Sequence, residues 1–455
     1  MRSRAPRLRY LSLFALLSAC ATTGTQPPAA LPPAPVTPPV ATGSTTESSS
    51  SASSSQAATP APAPAPVPAI SYDNFDQWKQ NFVAKAASRG FDPVFVSQTL
   101  DGVQPLANVT ASDSQQPEFS KPISSYIRQS VSLVRAAAAR DRLGANANVA
   151  EIEATYGVPG VLLGGIWTME SDLGRVQGNI DVVSALATLA YNGRRRVWAE
   201  DELIACLTIL RDHRIGRDTL RGSWAGAMGQ TQFLPDNYLT LGVDGDHDGK
   251  VDIWNSDSDA LASSANLLSR AGWKPNEAWA VEVILPAGFD YYLSETAKKM
   301  PAEWAALGVK RADGGFWKAS ESAESATLIL PSGAKGPAFL ALPNHYVIRK
   351  YNNSTAYALA VGLIADAIAG KPPVRTPWPD EQPLSLNQRM KAQEALKSVG
   401  CDPGGIDGVI GFGTRQAIRD WQRANGLVAD GYLSFDLANR FVAGDVGTAQ
   451  CPAKS

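Results

Sequence analysis

The stretch Val161-Leu-Leu-Gly-Gly-Ile-Trp-Thr-Met-Glu-Ser-Asp-Leu-Gly174 decides how this chain folds. Its apolar run ends on a single acid, Glu170. A carboxylate on an apolar helix face is desolvated, which raises its pKa and lets it donate a proton near neutral pH. Glu170 is therefore a candidate catalytic acid. The alternative is a buried structural acid, because ion-pair networks also perturb carboxylates.

Helical periodicity surrounds this stretch on both sides and predicts a mainly α domain with a small β element, an α+β fold. The predicted helices are 123–142, 152–156, 161–170, 183–189, 202–210, 260–269 and 356–369. Short runs rich in β-branched residues predict strands at 280–285, 326–330 and 346–349.

A Pro-rich linker at 371–383 separates this domain from a small C-terminal unit, 384–455, which we predict to be a three-helix domain. Helical patterns at 388–399 and 414–425 flank a Gly-rich loop. In an oxidising compartment Cys401 and Cys451 could close a disulfide, although sequence does not settle the pairing. Cys206 lies in an apolar helix and is expected to be an inert buried thiol.

The N-terminus predicts export. Four arginines precede the short apolar run Leu11–Leu17, as in a signal peptide spanning residues 1–19. Leu17-Ser-Ala-Cys20 resembles the lipobox of bacterial lipoproteins, in which Cys20 is lipidated; the alternative is an ordinary signal peptide with an incidental cysteine. Ala21 after that cysteine resembles lipoproteins sent to the outer membrane, facing the periplasm. Residues 20–70 are rich in Pro, Ala, Ser and Thr and predict a disordered tether.

Composition argues against several classes of function. The formal net charge is −2 without a basic stripe, which argues against nucleic acid as a partner. The chain has three histidines and lacks the motifs of serine-triad hydrolases, zinc hydrolases and P-loop enzymes. A protonated carboxylic acid near aromatic and amide side chains instead suits glycoside cleavage. Asp172 is the nearest second acid, but two positions along a helix it points away from Glu170 and is expected to cap or pair locally.

Three motifs, in this order, carry a family resemblance. They are Glu170-Ser-Asp-Leu-Gly174, Gly222-Ser-Trp-Ala-Gly-Ala-Met-Gly-Gln-Thr-Gln-Phe-Leu-Pro235 and Arg349-Lys-Tyr-Asn-Asn-Ser-Thr-Ala-Tyr-Ala358. Residues 71–370 resemble the catalytic domain of the membrane-bound lytic murein transglycosylases of the B type.

The resemblance implies a lysozyme-like helical fold and a peptidoglycan lytic transglycosylase that acts on glycan strands without a cofactor. Glu170 would protonate the leaving oxygen of the β-1,4 bond between N-acetylmuramic acid and N-acetylglucosamine. As a carboxylate it would then take the proton of the C6 hydroxyl, which closes a 1,6-anhydro ring. A hydrolytic muramidase on the same fold and a non-catalytic wall-binding scaffold are the alternatives.

The resemblance also implies a sugar-binding cleft, lined by Ser223, Gln232, Phe233, Tyr351, Asn352 and Tyr357. For the aromatic and loop residues the alternative is a place in the core. Leu267 stands where the family can have a cleft tyrosine, so binding at that subsite is in doubt.

Residues 244–255 resemble an EF-hand loop and predict a structural Ca²⁺ site. The oxygen ligands are Asp244, Asp246, Asp248 and the backbone carbonyl of Lys250. Asn255 replaces the usual bidentate glutamate, and some members of the family close the loop with a later aspartate, here Asp259. Asp252 is the alternative ligand, and a metal-free Asp/Gly turn is the alternative to the site itself.

The C-terminal unit resembles a peptidoglycan-binding domain of type 1. The resemblance rests on Ile406-Asp-Gly-Val-Ile-Gly411, Trp421-Gln422, Gly426-Leu427 and Asp430-Gly431. It identifies the module better than its ligand, since similar units also bind proteins. Partners among other cell-wall enzymes are not indicated by the sequence.

Overall fold

The structure is a computed structural model that describes residues 74–114, 121–212, 215–447 and 449–451. These residues belong to one compact unit. The predicted signal peptide, the lipidation site Cys20 and the predicted tether lie outside them. Within the described ranges, no helix combines the length and the hydropathy needed to cross a membrane.

The described part contains eighteen α-helices and seven strands. The helices of the first domain are α1 Phe75–Ser88, α2 Pro93–Thr99, α3 Ala107–Ser114, α4 Ile123–Ser130, α5 Leu133–Ala145, α6 Val149–Tyr156, α7 Gly160–Ser171, α8 Val182–Asn192, α9 Arg196–Asp212, α10 Pro235–Leu241, α11 Asp257–Arg270, α12 Pro301–Ala306, α13 Ala319–Ser322, α14 Pro343–Tyr351 and α15 Thr355–Ile368. The strands are β1 Ile180–Asp181, β2 Arg221–Gly222, β3 Ala280–Ile284, β4 Lys298–Lys299, β5 Lys310–Arg311, β6 Ala326–Ile329 and β7 Ala338–Ala341. The C-terminal helices are α16 Leu386–Ser398, α17 Phe412–Ala424 and α18 Phe435–Val442.

Helix α7 is the centre of the core, as its apolar sequence predicts. All of its residues except Val161 are buried. It packs against α15, α5, α11 and α6. A Cβ at Gly165 would lie 2.8 Å from the backbone oxygen of Val361 on α15, so glycine is needed for the close approach of these two helices. The acid at the end of α7 is therefore carried by a fixed element.

The predicted helix 123–142 is two helices, and in this respect the sequence interpretation was wrong. Helix α4 ends at Ser130, Val131 is extended at φ −91° and ψ 102°, and Ser132 precedes α5. A β-branched residue followed by serine favours a break, since serine prefers the position before a helix. The break turns α4 toward the catalytic acid and leaves α5 beneath it.

Five strands form an antiparallel sheet in the order β4-β6-β7-β3-β5. The sheet has its own apolar core, which includes Val283, Trp304 and Leu340. The strands predicted at 280–285 and 326–330 are confirmed. The strand predicted at 346–349 is wrong: these residues lie in α14, whose first residue is Pro343, a favoured start for a helix. The fourth residue-rich strand is β7, which the sequence reading missed.

The C-terminal unit is the predicted three-helix domain. Its core is formed by Leu396, Ile418, Trp421 and Phe441. The structure joins Cys401 and Cys451 in a disulfide, with 5.1 Å between their Cα atoms. Such a link across a small core restricts the unfolded chain and stabilises the fold. Cys206 is a free, buried thiol, and burial raises its pKa well above the ordinary value.

The C-terminal domain contacts the region of the sheet directly. Glu295, just before β4, accepts hydrogen bonds from Arg415 at 2.7 Å and Arg419 at 2.6 Å. The Tyr292 hydroxyl donates to Asp420 at 2.8 Å. In the linker, Trp378 packs against the main core. The linker therefore connects two domains that lie against each other.

Candidate active site

Glu170 lies in the last turn of α7 and is only 6% exposed. Burial raises the pKa of its carboxyl to about 7. A hydrogen bond from Tyr357 acts in the opposite direction, because it stabilises the ionised form, but burial is the larger effect. The group is thus protonated in a large fraction of molecules near neutral pH and can both give and take a proton.

Tyr357 holds this carboxyl. It lies in the first turn of α15, the helix that packs along α7. Its hydroxyl donates a hydrogen bond of 2.5 Å to Oε1 of Glu170. Burial and the charge of Glu170 raise the pKa of Tyr357 well above its usual value, so the phenol stays protonated and remains a donor. The carboxyl is therefore fixed in orientation by a neutral partner.

Tyr351, the last residue of α14, extends the aromatic wall. Its ring stacks with that of Tyr357, with 6.5 Å between centroids and 18° between planes. Its hydroxyl donates to the backbone oxygen of Thr231 at 2.7 Å and lies 3.2 Å from Oγ of Ser264. These contacts connect α14, α15 and α11 to the loop after β2.

Tyr126 on α4 also belongs to this site and was missed by the sequence reading. Burial and the charge of Glu170 raise the pKa of its phenol. Within the described residues, its buried hydroxyl makes no hydrogen bond of normal geometry. No motif in 123–130 points to this residue. The break between α4 and α5, which places α4 beside the acid, is the signal that could have found it.

The loop after β2 is compact and mostly buried. The Ser223 hydroxyl accepts a hydrogen bond from the backbone N–H of Ala227 at 3.1 Å. The Gln232 amide donates to the backbone oxygens of Gln177 and Gly229, at 3.0 and 2.9 Å. Gln232 has a φ of 51°, a left-handed conformation that is rare outside glycine. Both side chains therefore hold the loop in shape at the edge of the site.

Phe233 and Asn352 are largely withdrawn from solvent. Phe233 is 1% exposed, and its ring centroid lies 5.9 Å from that of Tyr351. It therefore packs behind the tyrosine wall. Asn352 is 6% exposed at the end of α14. Leu267, at the position of the expected tyrosine, is 9% exposed in α11 and belongs to the core.

The chain makes an unusual turn directly after the acid. Asp172, Leu173 and Gly174 have φ values of 52°, 61° and 80°. The first two lack the freedom of glycine and each costs about 1–2 kcal/mol in this conformation. A Cβ at Gly174 would lie 2.4 Å from Oε1 of Gln230, so only glycine fits there. The turn is held against the loop after β2.

Asp172 pairs locally, as predicted. One carboxylate oxygen is 3.0 Å from Nε of Arg135, and the other is 2.6 Å from Nη2 of Arg175. Its carboxylate is thus bound to two guanidinium groups. It is not a second acid directed at the same bond as Glu170.

Three of the predicted metal ligands converge. One carboxylate oxygen from each of Asp244, Asp246 and Asp259 lies within 4.8 Å of the others. Three like charges at this distance repel one another unless a cation lies between them, and oxygen atoms are the ligands that Ca²⁺ prefers. These residues fit a calcium ion. The position set back beyond the loop, Asp259, thus lies with the first two loop positions.

Asp248 and Asp252 do not belong to this cluster. The Asp248 carboxylate accepts from the backbone N–H of Lys250 at 2.9 Å. That of Asp252 accepts from the N–H groups of Trp254 and Asn255, at 3.0 and 2.9 Å. Both side chains shape the loop in this structure.

Two protein families match the chain. Residues 74–366 match the transglycosylase SLT domain family. Residues 385–440 match a peptidoglycan binding domain family. The two matches cover the two domains seen in the structure and confirm both family resemblances drawn from the sequence.

Relatives of known name are similar over large parts of the chain. Membrane-bound lytic murein transglycosylase B of Escherichia coli strain K12 is 36% identical over 222 residues, which are 47% of this chain and 58% of that protein. The chain thus matches less than two thirds of that relative's length.

Two groups of solved structures are also similar. SltB3 from Pseudomonas aeruginosa, in complex with NAG-anhNAM-pentapeptide, has a TM-score of 0.78 and 44% identity, over 82% of this chain and 100% of that one. The Escherichia coli lytic transglycosylase Slt35, in complex with calcium, has a TM-score of 0.56 and 29% identity, over 64% of this chain and 92% of that one. The predicted lysozyme-like helical fold is confirmed by this likeness.

Proposed function

The chain belongs to the transglycosylase SLT domain family, and from that premise we propose that it cleaves peptidoglycan glycan strands without water. The bond is the β-1,4 linkage between N-acetylmuramic acid and N-acetylglucosamine, and the product carries a 1,6-anhydro ring. One observation carries the proposal: Glu170 is buried with a pKa of about 7, and its hydrogen-bond partner is a phenol. None of the described carboxylates is hydrogen-bonded to it, which suits a reaction that needs one acid.

The reaction follows from the two protonation states of Glu170. Protonated Glu170 donates to the glycosidic oxygen, and the bond from that oxygen to C1 of the muramic acid breaks. The carboxylate that remains takes the proton of the C6 hydroxyl, whose oxygen forms the new bond to C1. Because this hydroxyl belongs to the same sugar, it has a high effective concentration near C1 compared with water. Glu170 is protonated again at the end of the cycle.

We infer roles for the residues around the acid from their chemistry. Tyr357 orients the carboxyl, and the phenol of Tyr126 can donate to the substrate. Tyr351 offers a flat ring to an apolar sugar face. The remaining cleft candidates are Ser223, Gln232, Phe233 and Asn352; among them, Phe233 would act by supporting Tyr351, since its own ring is buried.

Analysis of the products tests the proposal. Purified sacculi are digested, the soluble muropeptides are treated with borohydride, and their masses are measured. We expect anhydro ends, which borohydride leaves unchanged. Reducible muramic ends would identify a hydrolytic muramidase, and binding to sacculi without release of soluble muropeptides would identify a wall-binding scaffold.

We also propose where the enzyme works. Lipidation at Cys20 would anchor it to the outer membrane on the periplasmic side, and the segment 20–70 would carry the folded part toward the wall. The C-terminal domain would bind peptidoglycan next to the catalytic domain. The name of the E. coli relative, which is membrane-bound, and the match to a peptidoglycan binding domain support this arrangement.

We further propose that the cluster Asp244, Asp246 and Asp259 binds a structural Ca²⁺. At about 100 times its Kd, calcium would stabilise the fold by about 2.7 kcal/mol and raise the Tm by roughly 5 °C or more. Thermal unfolding in calcium and in EGTA measures this shift. Asp246→Asn should lose the shift. Asp257→Asn, which changes an acid outside the cluster, should keep it. Equal Tm values of the wild type in calcium and EGTA would contradict the site.

A further inference from the structure

Arg135 lies beneath the end of α7 and makes three contacts there. Its Nε donates to a carboxylate oxygen of Asp172 at 3.0 Å, and its Nη1 donates to the backbone oxygen of Ser130 at 2.9 Å. Its Nη2 donates to the backbone oxygen of Thr168. The side chain is only 13% exposed. One guanidinium thus connects the end of α4, the start of α5 and the end of α7.

Two of these contacts lie on either side of the acid. Thr168 is two residues before Glu170, and Asp172 is two residues after it. The backbone N–H of Asp172 also donates to the Thr168 oxygen at 3.2 Å. Arg135 therefore fixes both ends of the five-residue segment that carries Glu170. A cation is favoured at this place, because the last carbonyls of a helix carry partial negative charge and lack partners within the helix.

The turn after the acid needs such a hold. Asp172 and Leu173 both have left-handed backbones, and strained conformations persist only where the surroundings fix them. The Asp172 carboxylate is the only side-chain group of these two residues that can be held by charge. Arg175, its second partner, has a side chain that is 58% exposed and therefore adds less rigidity.

We propose that Arg135 is a positioning residue for Glu170, which it acts on through Thr168 and Asp172. It keeps the last turn of α7 and the left-handed turn in place, so that the carboxyl stays in the tyrosine pocket. It does not contact the substrate in this account. The inference rests on the proposed function in one respect only, since it assumes that Glu170 is the acid.

The groups that face Glu170 make the consequence specific. They are the phenol of Tyr126 from α4, that of Tyr351 from α14 and that of Tyr357 from α15, with the charges of Arg135 and Asp172 paired to each other. Helix α11 contributes the hydroxyl of Ser264 behind Tyr351. A carboxyl that leaves this pocket exchanges apolar surroundings for water. Its pKa then falls toward the ordinary value of a glutamic acid.

The test compares Arg135→Met with Arg140→Met, its matched control on the same helix. Arg140 donates to the backbone oxygens of Ile368 and Ala367, the last carbonyls of α15, far along the helix from Tyr357. Both changes remove a guanidinium from helix-terminal carbonyls and should lower the Tm to a similar degree. We expect only Arg135→Met to lower kcat, by about 10- to 100-fold. Its KM should change less than about threefold.

Two further readouts separate positioning from general loss of stability. In Arg135→Met, the pH at which kcat falls on the alkaline side should move to lower pH, because the hydrated carboxyl ionises earlier. Arg135→Lys should recover part of kcat, because an ammonium can reach Asp172 or the carbonyl but does not span both as the fork does. If Arg135→Met does not fold, Asp172→Asn is measured beside Arg175→Ala, and kcat should fall mainly in the former.

The proposal is overturned if kcat and the alkaline limit of Arg135→Met equal those of Arg140→Met at matched folded fraction. Turnover is measured as release of soluble muropeptides, whatever their ends. A wild type that makes reducing ends would therefore overturn the proposed function and leave this test intact, because hydrolysis also needs the proton of Glu170.

Discussion

Glu170→Gln is expected to lower kcat by on the order of 10³-fold or more, while binding to sacculi is retained. The amide of glutamine has nearly the same shape and can still accept the hydrogen bond from Tyr357. It cannot donate a proton to the glycosidic oxygen or take one from the C6 hydroxyl. Because one residue performs both transfers, both are lost together. Release of muropeptides and co-sedimentation with sacculi measure the two properties separately.

The same change should stabilise the protein above neutral pH. The pKa of Glu170 is raised by folding, from an ordinary 4.5 to about 7. Folding is therefore opposed by ionisation of this group, and stability is lost as pH rises from the unfolded pKa through the folded one. Above pH 7 the loss is on the order of 3 kcal/mol. Glutamine does not ionise, so the Tm of the variant at pH 8 should exceed that of the wild type.

Glu202→Gln is the matched control. Glu202 on α9 is also buried, at 7% exposure, and burial raises its pKa to about 7. Its carboxylate accepts from the backbone N–H of Asp236, outside the tyrosine wall. This variant should keep its turnover. Undiminished turnover in Glu170→Gln, or equal loss in both variants, would show that Glu170 is not the acid.

Tyr357→Phe is expected to lower kcat by roughly 10- to 100-fold, the second largest effect. Phenylalanine keeps the ring stacked on Tyr351 but removes the hydroxyl that holds Oε1. The carboxyl then samples orientations that do not point to the scissile bond. A displacement of about 1 Å in a catalytic group can cost on the order of 10²-fold in rate.

The pH profile gives this prediction a sign. The bond from Tyr357 stabilises the carboxylate and lowers the pKa of Glu170, so its loss raises that pKa further above the ordinary value. Catalysis needs the protonated acid. The alkaline limb of kcat should therefore move to higher pH, opposite to the shift expected for Arg135→Met. Tyr346→Phe, on the neighbouring helix α14, should change neither value; a Tyr357→Phe profile identical to the wild type would contradict the role of the hydroxyl.

The sequence was sufficient to predict the main elements wherever local chemistry decides the structure. The apolar run before Glu170 predicts a buried helix, and α7 is buried on nearly every side. The separation of the domains by a Pro-rich segment follows from composition alone. The family resemblance added the cleft residues, of which the structure brings Tyr357 and Tyr351 into one wall with the acid.

What the sequence did not predict depends on tertiary packing. The run 346–349 has strand-like residues, but Pro343 and the packing of α14 against α15 make it helical. Tyr126 reaches the acid only because α4 and α5 part at Val131. The withdrawal of Asp248 from the acidic cluster depends on its local bond to Lys250. In each case a contact between distant segments, or a loop geometry, overrides the pattern along the chain.

The central claim is that the enzyme breaks the glycan strand without water, and digestion in water enriched in ¹⁸O tests it most directly. Each cut by a transglycosylase leaves an anhydro end that contains no solvent oxygen. We predict that muropeptides from the wild type have the anhydro mass and carry no label. Products heavier by one water, with ¹⁸O at the muramic end, would contradict the account.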